Sequence, residues 1–126
     1  MEKIFLIGEE INLLSSFEAK LSLENYSVFI NSVSEPISAI SLNVILNKPV
    51  FLIFFLDENS INSLGMLKNL KTDINFNIPI FVVSEGLGNV MIKKIELLNI
   101  KYYFNLEKNT EEEIIQKILK IKKNIF

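Results

Sequence analysis

Val50-Phe51-Leu52-Ile53-Phe54-Phe55-Leu56 is the longest apolar run in the chain, and Asp57 ends it abruptly. A strand with one wet face alternates polar and apolar residues, and this run does not. It suits a central parallel strand covered on both sides. It is also far below the roughly 20 apolar residues that span a bilayer, so no membrane insertion is expected.

Upstream, Lys48-Pro49 breaks a helix whose expected start is Ser34-Glu35-Pro36, a capping hydroxyl with Pro in the first turn. Ile37, Ile40, Val44 and Ile45 would form its buried stripe. Before it, Tyr26 to Ile30 reads as a second strand. Asn25 ends a helix in which Leu14, Phe17 and Leu21 share a face, and Ile4-Phe5-Leu6-Ile7 is the first strand. Downstream of Asp57, Ile61, Leu64, Leu67 and Leu70 repeat at helical spacing. Ile78-Pro79-Ile80-Phe81-Val82-Val83 is a fourth strand, its Pro tolerated near the start. Gly86 and Gly88 then precede a helix through Met91, Ile92, Ile95 and Leu98, and Ile100 to Phe104 is a fifth strand. Thr110 with Glu113 three residues on is a capping box, with Glu111 and Glu112 at the positive end of the helix dipole and Lys117, Lys120, Lys122 and Lys123 toward the negative end. Ile114, Ile115, Ile118 and Ile121 are its apolar face.

Strand and helix alternate five times within 126 residues. The expected fold is α/β: a single domain, residues 1–126, with a five-stranded parallel sheet between two helical layers. With right-handed crossovers, the three-layer doubly wound, flavodoxin-like order 2-1-3-4-5 is the common solution at this length.

Composition removes several chemistries. The chain has no Cys and no His, and all 13 basic residues are Lys. Thiolate, zinc-cluster and His-based triad catalysis are therefore absent, as is the planar Arg fork that clamps phosphate or reads guanine. Net charge is −2, which argues against nucleic-acid binding by this domain. The short apolar run after Met1-Glu2-Lys3 ends at Gly8-Glu9-Glu10, too early for a secretory signal, so the expected compartment is the cytoplasm.

In an open parallel sheet, ligands bind beyond the carboxyl ends of the strands, where strand order reverses. That point gathers Gly8, Glu9 and Glu10 after the first strand, Asp57 after the third, Ser84 after the fourth and Asn105 after the fifth. Crowded carboxylates repel one another, and a hard divalent cation such as Mg²⁺ relieves that repulsion. An Asp beside such an ion can take a phosphoryl group, with a hydroxyl donating to one of its oxygens. The plainer reading of each residue alone is a polar strand end.

These residues resemble those of the receiver domains of two-component response regulators, the single-domain chemotaxis regulators among them. The resemblance covers nearly the whole chain. Its most specific stretch is Phe54-Phe55-Leu56-Asp57 with Gly65 eight residues later, and it extends to Ile78-Pro79-Ile80-Phe81-Val82-Val83-Ser84. It implies Asp57 as phosphoacceptor, Ser84 as the switch hydroxyl and Tyr102 as the switch aromatic, or Tyr103 if the register slips by one. It implies a metal site of Glu9, Glu10 and Asp57 for Mg²⁺. It implies a signalling module and not an enzyme, whose partners are a histidine kinase and an output domain or protein. A homodimer or partner surface would lie on the fourth helix, fifth strand and fifth helix, with Lys93, Lys94, Lys101, Tyr102, Tyr103 and Lys117 or Lys120; the alternative is an ordinary solvated face. Lys122-Lys123-Asn124-Ile125-Phe126 would lead to an output domain or pack back on this one.

Five positions depart from the family pattern. Gly8-Glu9 stands where receivers carry two adjacent acids, and the Glu carboxylate sits about 1.5 Å farther out than that of Asp. Asn105 replaces the Lys that contacts the phosphoryl group, and Lys108 comes three residues late. Leu106 and Ile61 each replace a Pro. Weak Mg²⁺ binding and a poorly driven switch follow. The expected function is an atypical receiver, a pseudo-receiver, acting through protein contacts. The alternative is a response regulator phosphorylated on Asp57 with Mg²⁺. A flavodoxin-like electron carrier is more distant, because Gly8-Glu9-Glu10-Ile11-Asn12 would repel a cofactor phosphate and no dinucleotide glycine motif follows the first strand.

Overall fold

Phe51 to Phe55 form β3, and all five residues are buried. The computed structural model describes residues 1–57, 61–73 and 78–125, with only the backbone of Ile61, Asp73 and Ile125. Around β3 the chain alternates β1 (Lys3–Gly8), α1 (Ile11–Leu23), β2 (Ser27–Ser32) and α2 (Ile37–Asn47) on one side. On the other follow α3 (Ile61–Asp73), β4 (Ile80–Ser84), α4 (Asn89–Leu97), β5 (Tyr102–Asn105) and α5 (Glu111–Ile125). All strand pairings are parallel and the order is β2-β1-β3-β4-β5, as the sequence predicts.

The two-residue period of the strands divides the core into two layers. Ile4, Leu6, Phe51, Ile53, Phe55, Phe81 and Val83 pack under α1 and α5, against Leu14, Phe17, Leu21, Ile114, Ile115 and Ile118. Phe5, Ile7, Leu52, Phe54, Ile80 and Val82 face the opposite way, against Ile40 and Val44 of α2, Leu67 and Leu70 of α3, and Ile95 of α4. Aromatic edges tie the first layer together: Phe17 meets Phe55 at 4.9 Å and Phe51 meets Phe81 at 5.3 Å, both T-shaped.

Helix ends follow local chemistry. Thr110 and Glu113 form the expected capping box, each accepting the other's backbone N–H at 3.2 and 3.0 Å respectively. Asn25, Lys48 and Asn99 take left-handed φ of 68°, 48° and 61° as the chain leaves α1, α2 and α4. The start of α2 differs from expectation. Pro36 is its N-cap and no side chain caps it; the Ser34 hydroxyl pairs instead with Ser32 Oγ at 2.8 Å. Ile45, expected in the buried stripe, is half exposed, together with Leu42 and Leu46. A fully covered α2 would need a neighbour on that side, and periodicity in a helix this apolar does not single out one face. Strand limits also shift: β2 begins one residue after Tyr26 and runs to Ser32, and β5 starts at Tyr102 after Ile100-Lys101. The side chains of Ile61 and Ile125, and all of Phe126, lie outside the described residues. No described helix is long and apolar enough to cross a membrane.

Candidate functional site

The carboxyl ends of β1, β3 and β4 open into a crevice of about 560 Å³. Glu9, Glu10, Asp57 and Ser84, four of the expected site residues, line it, as do Glu85 and Glu107, which sequence reading missed. Five carboxylates therefore face one cleft, and no basic side chain is among its described walls. Glu85 follows the β4 strand end directly, a signal that was available. Glu107 reaches the cleft because the β5–α5 loop folds back over Gly86, where an added Cβ would lie 2.7 Å from Glu107 Oε1.

Asp57 is fixed through its backbone. Leu56 N–H donates to Val83 O at 2.8 Å, continuing the β3–β4 pairing, and Asp57 N–H donates to Ser63 Oγ at 3.1 Å. Ser63 is buried in the first turn of α3, so one hydroxyl fastens the turn that presents Asp57. Only the spacing from Asp57 to a Ser in the next helix hinted at this role. Ser84 is buried, and its hydroxyl is held by its own loop, donating to Gly86 O at 3.3 Å and accepting from Gly86 N–H at 3.4 Å.

The metal donors assemble less well. Glu10 is the N-cap of α1, its carboxylate accepting Asn12 N–H at 3.2 Å. Gly8 contributes no carboxylate and has no room for one: an added Cβ would lie 2.9 Å from Phe55 Cβ and 3.3 Å from Leu14 Cδ2. Among the described residues no three acids come together closely enough to hold one ion.

Tyr102 and Asn105 do not line the cleft. Tyr102 lies on the α1/α5 side, its ring 5.4 Å from Phe81. Tyr103 lies on the other side, in the layer containing Leu87, Met91, Ile95 and Leu98 of α4 and its flanks. Asn105 pairs in register with Ser84, but its side-chain carbonyl accepts Glu107 N–H at 2.9 Å, closing a turn on itself. On the surface expected to meet partners, Lys93, Lys94, Lys101, Lys117 and Lys120 are exposed, with Val90 and Leu97 exposed on α4.

No protein-family model matches the sequence, and no curated protein matches it. Solved structures do match in fold. A LuxR-family DNA-binding response regulator from Staphylococcus aureus superposes with a TM-score of 0.75 at 13% identity, over 97% of this chain and 99% of that one. The Vibrio cholerae chemotaxis protein CheY4 gives 0.74 at 10% identity, over 95% and 98% of the two chains. A CheY-like receiver domain protein from Methanospirillum hungatei gives 0.76 at 14% identity, over 98% and 95%. The fold is that of response-regulator receiver domains.

Proposed function

We propose that this domain is a receiver-like signalling module, not an enzyme, whose conformation is set by protein contacts and not by a phosphoryl group on Asp57. The observation that carries the reading is the charge of the cleft. Glu9, Glu10, Asp57, Glu85 and Glu107 surround it without a basic wall residue among those described. Phosphorylation would replace the single charge of the Asp57 carboxylate with the roughly two of an acyl phosphate, adding about one further negative charge to that field. The family's Lys is Asn105 here, and if Tyr103 is the switch aromatic the equivalent position moves to Leu106; neither carries a charge. Tyr103, packed beside α4, is the aromatic through which a partner on α4 and β5 would act. Such a partner is an output domain or protein, or a histidine kinase reading the same face.

A second reading keeps Asp57 as the acceptor of a phosphoryl group from a histidine kinase, with Mg²⁺. It is supported by the location of Asp57 at the end of the central strand, with buried Ser84 lining the same cleft. Intact-mass analysis after incubation with acetyl phosphate and Mg²⁺ separates the two. The expected result is an unchanged mass, or slow substoichiometric addition lost in Asp57→Asn. Rapid stoichiometric addition at Asp57 would establish the second reading instead.

A further inference from the structure

We infer that the β2–α2 edge of the sheet is a self-association surface, joining two copies of this chain through antiparallel pairing of their β2 strands. From Asn25 to Asn47 the sequence has one charged residue, Glu35, although 22% of the whole chain is charged. This uncharged stretch forms an edge strand and the helix after it. Open edges are normally guarded by Lys, Pro or a bulge, and β2, Ser27-Val28-Phe29-Ile30-Asn31-Ser32, has none of the three.

The backbone of β2 shows which groups are available. Ser27 N–H donates to Glu2 O at 2.9 Å and Val33 N–H to Gly8 O at 3.3 Å, both on the β1 side. Donors alternate sides along a strand, so Val28 and Ile30 present their backbone groups outward. At the next outward position, Ser32 N–H is taken by the Glu35 carboxylate at 2.9 Å. Glu35 therefore stops the open edge at its end and leaves Val28 and Ile30 as the pairing unit. A two-fold axis through Phe29 sets Val28 of each copy opposite Ile30 of the other, which is the self-complementary arrangement an isologous dimer requires.

The same axis stands perpendicular to the sheet, so both copies of α2 lie on one face of the joined sheet. Asn43 of α2 donates to Asn31 of β2 at 3.3 Å, which places the Asn43 side of the helix over the edge strand. Leu46, one turn along from Asn43, is 68% exposed, and Leu42 is 55% exposed. Two copies bring Leu46 of each helix toward the other across the axis, while Leu42, opposite the buried Ile40 and Val44, points away from the sheet. The charges beside this edge are Glu35, engaged by Ser32 N–H, and Lys3, whose ammonium lies 5.9 Å from the Phe29 ring, so a strongly charged partner finds little to pair with. A second copy brings a matching uncharged edge and helix.

Sedimentation velocity over a concentration series tests the assignment, with far-UV circular dichroism confirming the fold of each variant. Ile30→Pro removes an outward N–H that β1 does not use, and Leu46→Lys charges an exposed helix position. The expected result is a reversible dimer whose dissociation constant rises about tenfold or more in each variant, in line with the loss of one or two interfacial hydrogen bonds or an apolar contact. Lys93→Glu and Lys101→Glu on the α4–β5 face should leave it unchanged. A protein that stays monomeric at the highest concentration reached, or a dimer weakened only by the α4–β5 variants, would overturn the inference. Should Ile30→Pro fail to fold, Leu46→Lys alone decides it.

Discussion

Gly8 and Phe55 are in direct contact across the β1–β3 pair, leaving 2.9 Å between the Phe55 Cβ and the place where a Cβ of residue 8 would be. The neighbouring atom is fixed to the backbone and has no rotamer in which to retreat. Packing therefore opposes a side chain at the position that the resemblance aligns with the first of the receivers' two metal-site acids. Gly8→Asp is expected to destabilise the fold by about 1–3 kcal/mol, the cost of overpacking a filled site, without conferring tight Mg²⁺ binding. Urea denaturation gives the first quantity and a Mg²⁺ titration of backbone NMR shifts the second. A stable variant that binds the ion tightly would show that the Gly8–Phe55 contact does not limit the site.

The cleft's five carboxylates make the fold sensitive to salt. Screening of exposed like charges sets in over a Debye length of about 10 Å at 0.1 M ionic strength. Raising NaCl should therefore raise the melting temperature. Glu107→Gln should raise it at low salt, by the equivalent of about 0.5 kcal/mol, and should flatten the salt dependence. A variant as salt-sensitive as the parent would mean that Glu107 does not share the field of Glu9, Asp57 and Glu85.

How much of this was legible in sequence depended on the range of the interaction. The fully apolar run ending at Asp57 placed β3 at the centre of the sheet, because continuous apolar character requires cover on both faces. Thr110 and Glu113 announced the start of α5, because a capping box is complete within four residues. Glu107 was not foreseen in the cleft, since its arrival depends on how one loop folds over Gly86 of another. The role of Glu10 in capping α1, and the displacement of Ile45 to the surface, were hidden for a related reason. Sequence showed a carboxylate near a site and an apolar residue in a helix; tertiary contacts decided what each one does.

Two titrating groups give the domain opposite responses at the pH extremes. Hydrogen bonds from the Thr110 backbone and hydroxyl hold the Glu113 carboxyl below its ordinary value of 4.5. Its contribution to stability is present above that value and is lost as pH falls through the folded-state pKa. The hydrogen bond from Lys122 to the Glu2 carboxylate holds the ammonium above its ordinary 10.5, with the Tyr26 ring 5.5 Å away. Its contribution is present below 10.5 and is lost as pH rises through the folded value. Unfolding free energies measured across pH should show that Glu113→Gln removes part of the acid limb only, and Lys122→Met part of the alkaline limb only. Identical pH profiles for parent and variants would refute both assignments. Thr110→Ala should cost about 1 kcal/mol at neutral pH through the lost cap.

The most discriminating prediction turns on Asn105 and Glu107. Asn105 stands beside Ser84 in the β4–β5 register but spends its carbonyl on Glu107 N–H, while the Glu107 carboxylate turns into the cleft. A phosphoryl mimic at Asp57 thus meets a negative wall where receivers offer an ammonium. Beryllofluoride with Mg²⁺ is expected to bind the parent protein weakly and to shift only resonances near Asp57. The double variant Asn105→Lys, Glu107→Gln supplies the cation and removes the opposing charge. A charge-assisted contact is worth about 1.5–3 kcal/mol, so the mimic should bind at least about tenfold more tightly. Shifts should then reach Ser84, whose hydroxyl must leave Gly86 to meet the mimic, and Tyr103, which packs beside α4. Tyr102, on the far side of the sheet against Phe81, should respond less. A parent protein that already binds the mimic stoichiometrically, with shifts extending to Tyr103 and α4, would show that the missing charge is dispensable and that Asp57 works as a phospho-switch.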